Sequence, residues 1–431
     1  MPSPSRPAHF LHDAAQAADT APAALLVNLL CGPLSDPAHS GARHTLLAVC
    51  PNSETVARAA LQAAQEANTP LLYAATLNQV DRNGGYTGWT PATFADFVAA
   101  EADRLDVDVP VLLGLDHGGP WKKDAHRQQA LDYDTTMAEV KRSITACVEA
   151  GYDLLHLDPT VDRRLPPDTP VPIDTIVERT VELMRHAEDA RRAADRAPIA
   201  YEVGTEEVSG GLQSEDRFRA FLQQLDEALR AHDLPAPAFV VGDVGTTLAG
   251  SGFDATQARR LTTAATTQMG ALLKGHYTDD VAAPEEYPLS GMGGANVGPG
   301  LSAVEATALR ELVALETRLD ENAGFPDALR KAVVESGRWR KWLSADEADR
   351  PFEDLPKERQ RWLVDTGSRY VWTTPSVEAA RTALYEHVAP YRDADAYVQW
   401  RVKTAILEYM HAFNLIDLND RLREILLEDG G

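Results

Sequence analysis

The chain has 431 residues, 44% of them hydrophobic, and carries 65 acidic against 41 basic side chains, a formal charge of −24. Such a surface repels nucleic acid and anionic membranes, and as a solvated acidic exterior it suits high salt. Three cysteines without metal-ligand spacing (Cys31, Cys50, Cys147), an N-terminus lacking a basic start before an apolar run, and no apolar stretch near ~18 residues together predict a reduced cytoplasmic protein with neither leader nor membrane span.

In chain order, 25–31 (LLVNLLC) reads as a capping helix or an extra strand within an N-terminal extension, 1–40. Eight apolar runs of strand length then follow: 44–50, 70–76, 109–116, 153–158, 198–206, 238–243, 270–276 and 292–297. Near-continuous apolar character is what strands buried on both faces require, as in a parallel sheet. Helical periodicity separates them. Ser53 precedes a helix over 54–68, and Thr90 with Pro91 starts another. Thr136 and Glu139 read as a capping box for a helix to Gly151; 174–195, 214–232 and 254–267 follow, the last with Asp254 and Gln257 as a second box. Between His276 and Met292 no long helical pattern exists, so the seventh helix is predicted short or missing. An eighth helix spans 302–321, and beyond it the pattern is helical only: 326–343, 377–387, 397–414 and 417–428. The expected fold is a (β/α)8 TIM barrel over 41–320, with a C-terminal α-helical appendage, 321–431, that packs on the barrel and helps form its pocket.

The C-terminal ends of barrel strands carry active sites, and here they carry polar residues. The third run ends in Asp116–His117, the fourth in Asp158, the fifth in Glu206, the sixth in Asp243 and the seventh in His276. Polar residues also simply stop strands, but Gly, Asn, Ser and Pro would serve as well, and two of only 12 histidines fall at these ends. Imidazole with carboxylate suits one divalent metal ion, Zn, Mn or similar. The metal set is read as His117, Glu206 and His276, with Asp243, and Asp116, Asp158 and Glu206 are the candidate catalytic carboxylates. Such a metal polarises a sugar carbonyl and its neighbouring hydroxyl, while a carboxylate moves the proton. The Gly-rich segments 293–294 and 298–300 flank the eighth strand and read either as a phosphate loop or as tight joins. Lys274, inside the seventh run, is more simply an ion-pair partner for carboxylates than a Schiff-base lysine.

The stretches AVCPN (48–52), NQVDRNGGYT (78–87), GWTP (88–91), DHG (116–118), HLD (156–158) and GTE (204–206) resemble the non-catalytic subunit family of class II tagatose-bisphosphate aldolase, also labelled tagatose-6-phosphate kinase. His276 with Thr278–Asp279, and Arg369–Tyr370 with Trp372, extend the likeness along nearly the whole chain. The resemblance implies a ketose or ketose-phosphate substrate, converted by aldol cleavage or C4 epimerisation. It also implies, as the alternative, a partner that stabilises a separate aldolase catalytic subunit, and it leaves a homo-oligomer open. Its Asp-His pair assigns acid/base work to Asp116 and a metal bond to His117. Class II aldolases place three histidines on the metal; with His117 and His276 evident, Glu206 or Asp243 is expected to complete the set. Asn78, Gln79, Tyr86, Asn296, Arg369 and Tyr370 are the candidate substrate-binding residues.

Overall fold

The apolar runs fold as eight parallel strands closed into a barrel: β1 (Leu46–Val49), β2 (Leu71–Thr76), β3 (Val111–Gly118), β4 (Leu154–Leu157), β5 (Ala200–Gly204), β6 (Phe239–Val241), β7 (Leu272–Gly275) and β8 (Gly294–Val297). Each strand pairs with its sequence neighbours, and β1 meets β8 in the register Leu46↔Gly294 to Val49↔Val297. The computed structural model describes residues 9–32, 34, 42–166, 169–204, 214–248 and 250–428. The (β/α)8 barrel is therefore the fold, with a helical C-terminal region.

Helices after the strands cover its outside. Ser53 caps the first barrel helix, Glu54–Ala67, by accepting the Val56 amide, and Thr90 caps the second, Pro91–Arg104, through Thr93. The capping box expected at Thr136 is absent: Asp132 caps the helix Tyr133–Glu149 a turn earlier, and Thr136 is buried inside it. The fourth helix is Ile173–Ala193, the fifth, Glu215–Ala231, starts at Ser214, and the sixth, Ala255–Met269, at Asp254. After β7 only the four-residue helix Glu286–Leu289 forms, as the prolines there dictate. The eighth is Pro299–Arg318.

The segment LLVNLLC is helical (Pro22–Cys31) and follows a further helix, Phe10–Ala17, whose His12 bonds Asp153 at the start of β4 at 3.0 Å. Both close the lower, N-terminal face of the barrel. No single described helix is long and apolar enough to cross a membrane.

The C-terminal region runs through Phe325–Ser336, a 3-10 turn Arg338–Trp342, Lys357–Gly367, Pro375–Val388, Ala394–Ala412 and Leu418–Glu428. Gly337, at φ +64°, ends the first of these where one unbroken helix is expected. Val402, Ile406, Met410 and Phe413 join the barrel's apolar core, whereas Phe325, Leu329, Val333, Leu363 and Leu384 form a second core against Leu309 and Leu312 of the eighth helix. The appendage thus packs on the barrel at two places.

Candidate active site and metal centre

At the upper ends of β3, β4 and β7 three imidazoles face one another. The ring centroids of His117 and His156 are 4.8 Å apart, those of His117 and His276 4.7 Å, and those of His156 and His276 5.1 Å. Asp116 completes the group, and one ligand atom from each of the four residues lies within 4.8 Å of the others. Asp116 Oδ1 is 2.9 Å from His156 Nδ1 and 3.9 Å from His276 Nε2; Asp116 Oδ2 is 3.8 Å from His117 Nε2.

Other carboxylates hold the imidazoles in place. His117 Nδ1 lies 2.5 Å from Asp158 Oδ2, which Lys122 Nζ also reaches at 2.5 Å, while Thr160 donates to Asp158 Oδ1. Glu202 is 3.1 Å from His276 Nε2 and 3.6 Å from His156 Nδ1, and its other oxygen takes Lys274 Nζ at 2.5 Å. Lys274 is therefore the ion-pair partner its place in an apolar strand suggested, with no free amine to form a Schiff base. Carboxylates behind imidazoles in this way fix ring orientation and raise ligand basicity.

Local backbone makes the cluster. His117 sits at φ +51°, a left-handed conformation uncommon for a residue with a side chain, and this turns its ring inward as β3 ends. Gly119 follows because a Cβ there would stand 1.7 Å from the Asp158 carbonyl oxygen; only glycine lets the chain after β3 cross the end of β4.

Burial would raise the Asp116 carboxyl, but His117, His276 and His156 hold it well below the ordinary range. Burial likewise opposes, and Lys122 and His117 overcome, the same effect at Asp158. Burial lowers His156, against the pull of Glu202 and Asp116. A divalent cation needs deprotonated ligands, and the lowered carboxyls with a lowered His156 favour that state. Three buried or half-buried imidazoles, His117, His156 and His276, fit such an ion as nitrogen ligands, with the Asp116 carboxylate beside them.

His117, His276, Asp116 and Asp158 are thus gathered as the sequence suggests. Glu206 lies outside the described residues. Asp243 is not in the four-residue group, and its Oδ1 accepts the Gly245 amide at 2.8 Å. The third imidazole, His156, and the carboxylate Glu202 are the residues sequence reasoning missed.

A cavity of about 440 Å³ opens above the cluster, bordered by Asp116, His117, His276, Asp279, Asn296 and Arg369 among others. That volume suits a small molecule. A larger groove, about 720 Å³, lies outside the barrel between its fourth and fifth helices and is lined by none of the three imidazoles. Of the expected binding residues, all six line the inner cavity. Asn78 and Gln79 are tied into its wall: Asn78 takes the Asp124 amide, and Gln79 donates to Asn52, which Tyr86 also reaches at 3.0 Å. Asn296 Oδ1 is buried with no partner among the described residues. Tyr86 and Tyr370 meet edge to face at 5.2 Å, which joins the loop after β2 to the C-terminal region.

The wall is locally basic on an acidic protein. Lys122 is paired with Asp158, and Arg127 and Lys341 with Asp124. Arg369 is buried, donates to the Thr366 carbonyl and to Tyr370 Oη, and has no carboxylate partner among the described residues.

The closed parallel barrel with its helical C-terminal region has the fold of the class II aldolases. Residues 34–236, spanning β1 to the fifth helix, match the family described as D-tagatose-1,6-bisphosphate aldolase subunit GatZ/KbaZ-like. A probable tagatose 6 phosphate kinase from Sinorhizobium meliloti 1021 is 25% identical, with a TM-score of 0.68 over 85% of this chain and 100% of that one. Fructose-bisphosphate aldolase from Campylobacter jejuni shares the fold at 11% identity, with a TM-score of 0.50 over 87% of this chain and 90% of its own.

Proposed function

We propose that this protein is a metal-dependent ketose enzyme that works by aldol chemistry, either cleaving a ketose such as tagatose or fructose, or its phosphate, or epimerising it at C4. The observation that carries this reading is the trio His117, His156 and His276 beside Asp116 at the floor of a cavity of sugar size. A divalent cation bound there supplies Lewis acidity toward the sugar carbonyl and its neighbouring hydroxyl. Asp116 lines the cavity as an ionised carboxylate. It takes the C4 hydroxyl proton as the C3–C4 bond breaks, and returns it when the bond re-forms. Asp158 and Glu202 orient imidazoles, Asn296 Oδ1 accepts a sugar hydroxyl, and Tyr86 and Tyr370 wall one side.

The matching family, an aldolase subunit, favours one second reading: a partner that binds and stabilises a separate catalytic aldolase chain. The two part on one experiment. The chain purified alone is assayed for bound divalent metal and incubated with fructose, tagatose and their phosphates. About one metal per chain and formation of the C4 epimer or of triose products support the enzyme. A metal-free, inert chain that becomes necessary only when mixed with a class II aldolase supports the partner.

Arg369 gives a further expectation. Its charge lacks a carboxylate among the described residues, so a substrate anion completes its bonding, and charge-assisted bonds contribute about 1.5–3 kcal/mol. Arg369→Ala is expected to raise KM for a ketose monophosphate by roughly 10–100-fold, since each tenfold is about 1.4 kcal/mol, with Tm almost unmoved. A fall in Tm with KM unchanged would make Arg369 a packing residue.

A further inference from the structure

Barrels of this kind commonly bind phosphate at the last βα loops, on backbone amides at a helix N-terminus. In this chain those amides are taken. The eighth helix begins at Gly298–Pro299–Gly300, and Asp279 Oδ1 accepts both the Gly298 amide, at 2.9 Å, and the Gly300 amide, at 2.7 Å. The contact is built for this: Gly300 has no side chain, and a Cβ there would stand 2.9 Å from that same oxygen. Asp279 is buried and lines the cavity together with Gly298, Pro299 and Asn296. Its other oxygen, Oδ2, accepts neither of these two amides. Burial, working against the two amides, pushes the Asp279 carboxyl up to about 6, so it remains largely ionised at neutral pH.

We propose that Asp279 is a specificity-determining residue that fills the phosphate cradle of the eighth strand, so that this end of the cavity takes an uncharged, hydroxylated sugar terminus. The proposal rests on the ketose reading above and narrows it. The positive end of the helix is already matched by a carboxylate. A phosphate arriving there would meet that negative charge at hydrogen-bond range and find no free amide. A hydroxyl instead donates to Asp279 Oδ2. The orphaned Asn296 Oδ1 beside it accepts a second hydroxyl. Only Arg369, on the C-terminal wall, offers a cation without a carboxylate among the described residues that line the cavity. The substrate is therefore a free ketose or a monophosphate held by its other end, and a ketose bisphosphate is excluded.

The test uses the full-length protein and two probes. Calorimetry compares tagatose 6-phosphate with tagatose 1,6-bisphosphate, and inorganic phosphate is titrated into wild type and Asp279→Ala, with crystal structures locating any bound ion. The monophosphate is expected to bind at least about tenfold more tightly than the bisphosphate. Inorganic phosphate is expected on the Gly298 and Gly300 amides in Asp279→Ala and not in wild type. Phosphate seated on those amides in wild type, or a bisphosphate that binds most tightly with a phosphate there, overturns the proposal. If neither sugar phosphate binds, and free tagatose and fructose do not bind either, the ketose reading fails, and the phosphate comparison still decides the role of Asp279. Should Asp279→Ala not fold, the wild-type structure in phosphate decides alone: an ion on the amides refutes the proposal, and its absence there supports it.

Discussion

His156→Ala is expected to lose divalent metal by at least about 100-fold in affinity and to lose turnover with it. Removing a group that merely orients a ligand costs ~10–100-fold in metal affinity, and His156 is placed as a ligand, its ring 4.8 and 5.1 Å from those of His117 and His276. The substitution also leaves Asp116 and Glu202 facing each other across the vacated imidazole. Stability should therefore fall modestly in the metal-free protein, by about 1–3 kcal/mol for buried polar groups left unpaired. Elemental analysis and competition with a chelating dye measure the first effect, and denaturant unfolding the second. Asp243→Ala is the matched control, expected to keep parental metal affinity because that side chain stands outside the cluster. Retained metal in His156→Ala together with lost metal in Asp243→Ala would restore the set first read from the sequence.

The two candidate acid/base carboxylates should separate just as sharply. Asp116 borders the cavity, whereas Asp158 is enclosed by His117, Lys122 and Thr160. Asp116→Asn should cut kcat by ~10²–10⁴-fold, the usual worth of a positioned proton acceptor, with metal content and Tm near parental. Asp158→Asn should act through His117 instead, weakening metal binding by ~10–100-fold, with kcat recovering at saturating metal. A variant of Asp158 that stays inactive when fully metallated would return it to the role of base.

The eight strands were legible because burial on both faces writes itself as unbroken apolar runs, and the eroded seventh helix because its prolines are visible. The helix Lys357–Gly367 was not: KERQRWLVDTG has few apolar residues to mark a period, and tertiary packing of Leu363 and its neighbours decides it. The site was half legible for a related reason. Looking only at strand ends selected Asp116, His117, Asp158 and His276 and passed over His156 and Glu202, which lie one layer down, inside LLHL and AYEVG. The available signal was a charge where a parallel strand should have none. Glu202 in β5 and Lys274 in β7 are opposite charges buried in otherwise apolar runs, and such residues almost never sit there unpaired. Likewise, the choice between phosphate loop and tight join at Gly298–Pro299–Gly300 stayed open because nothing in the local sequence reveals that Asp279, about twenty residues earlier, is already bound to it.

The way the last long helix lies against the first barrel helix also bears on synthesis. Ala394–Ala412 packs on Glu54–Ala67, with Gln399 bonded to Gln62 across 337 positions of sequence. Arg369 and Tyr370 reach the cavity only once that region has docked. Contacts so distant along the chain are slow to form because a very long loop must close first. At about 5–20 residues per second, the barrel strands leave the ribosome several seconds before the residues that wall the cavity. A nascent chain therefore spends that interval with an unfinished mouth over its histidines. Ribosome-bound chains stalled after the eighth strand would be expected to be protected from protease in the barrel yet unable to retain a sugar.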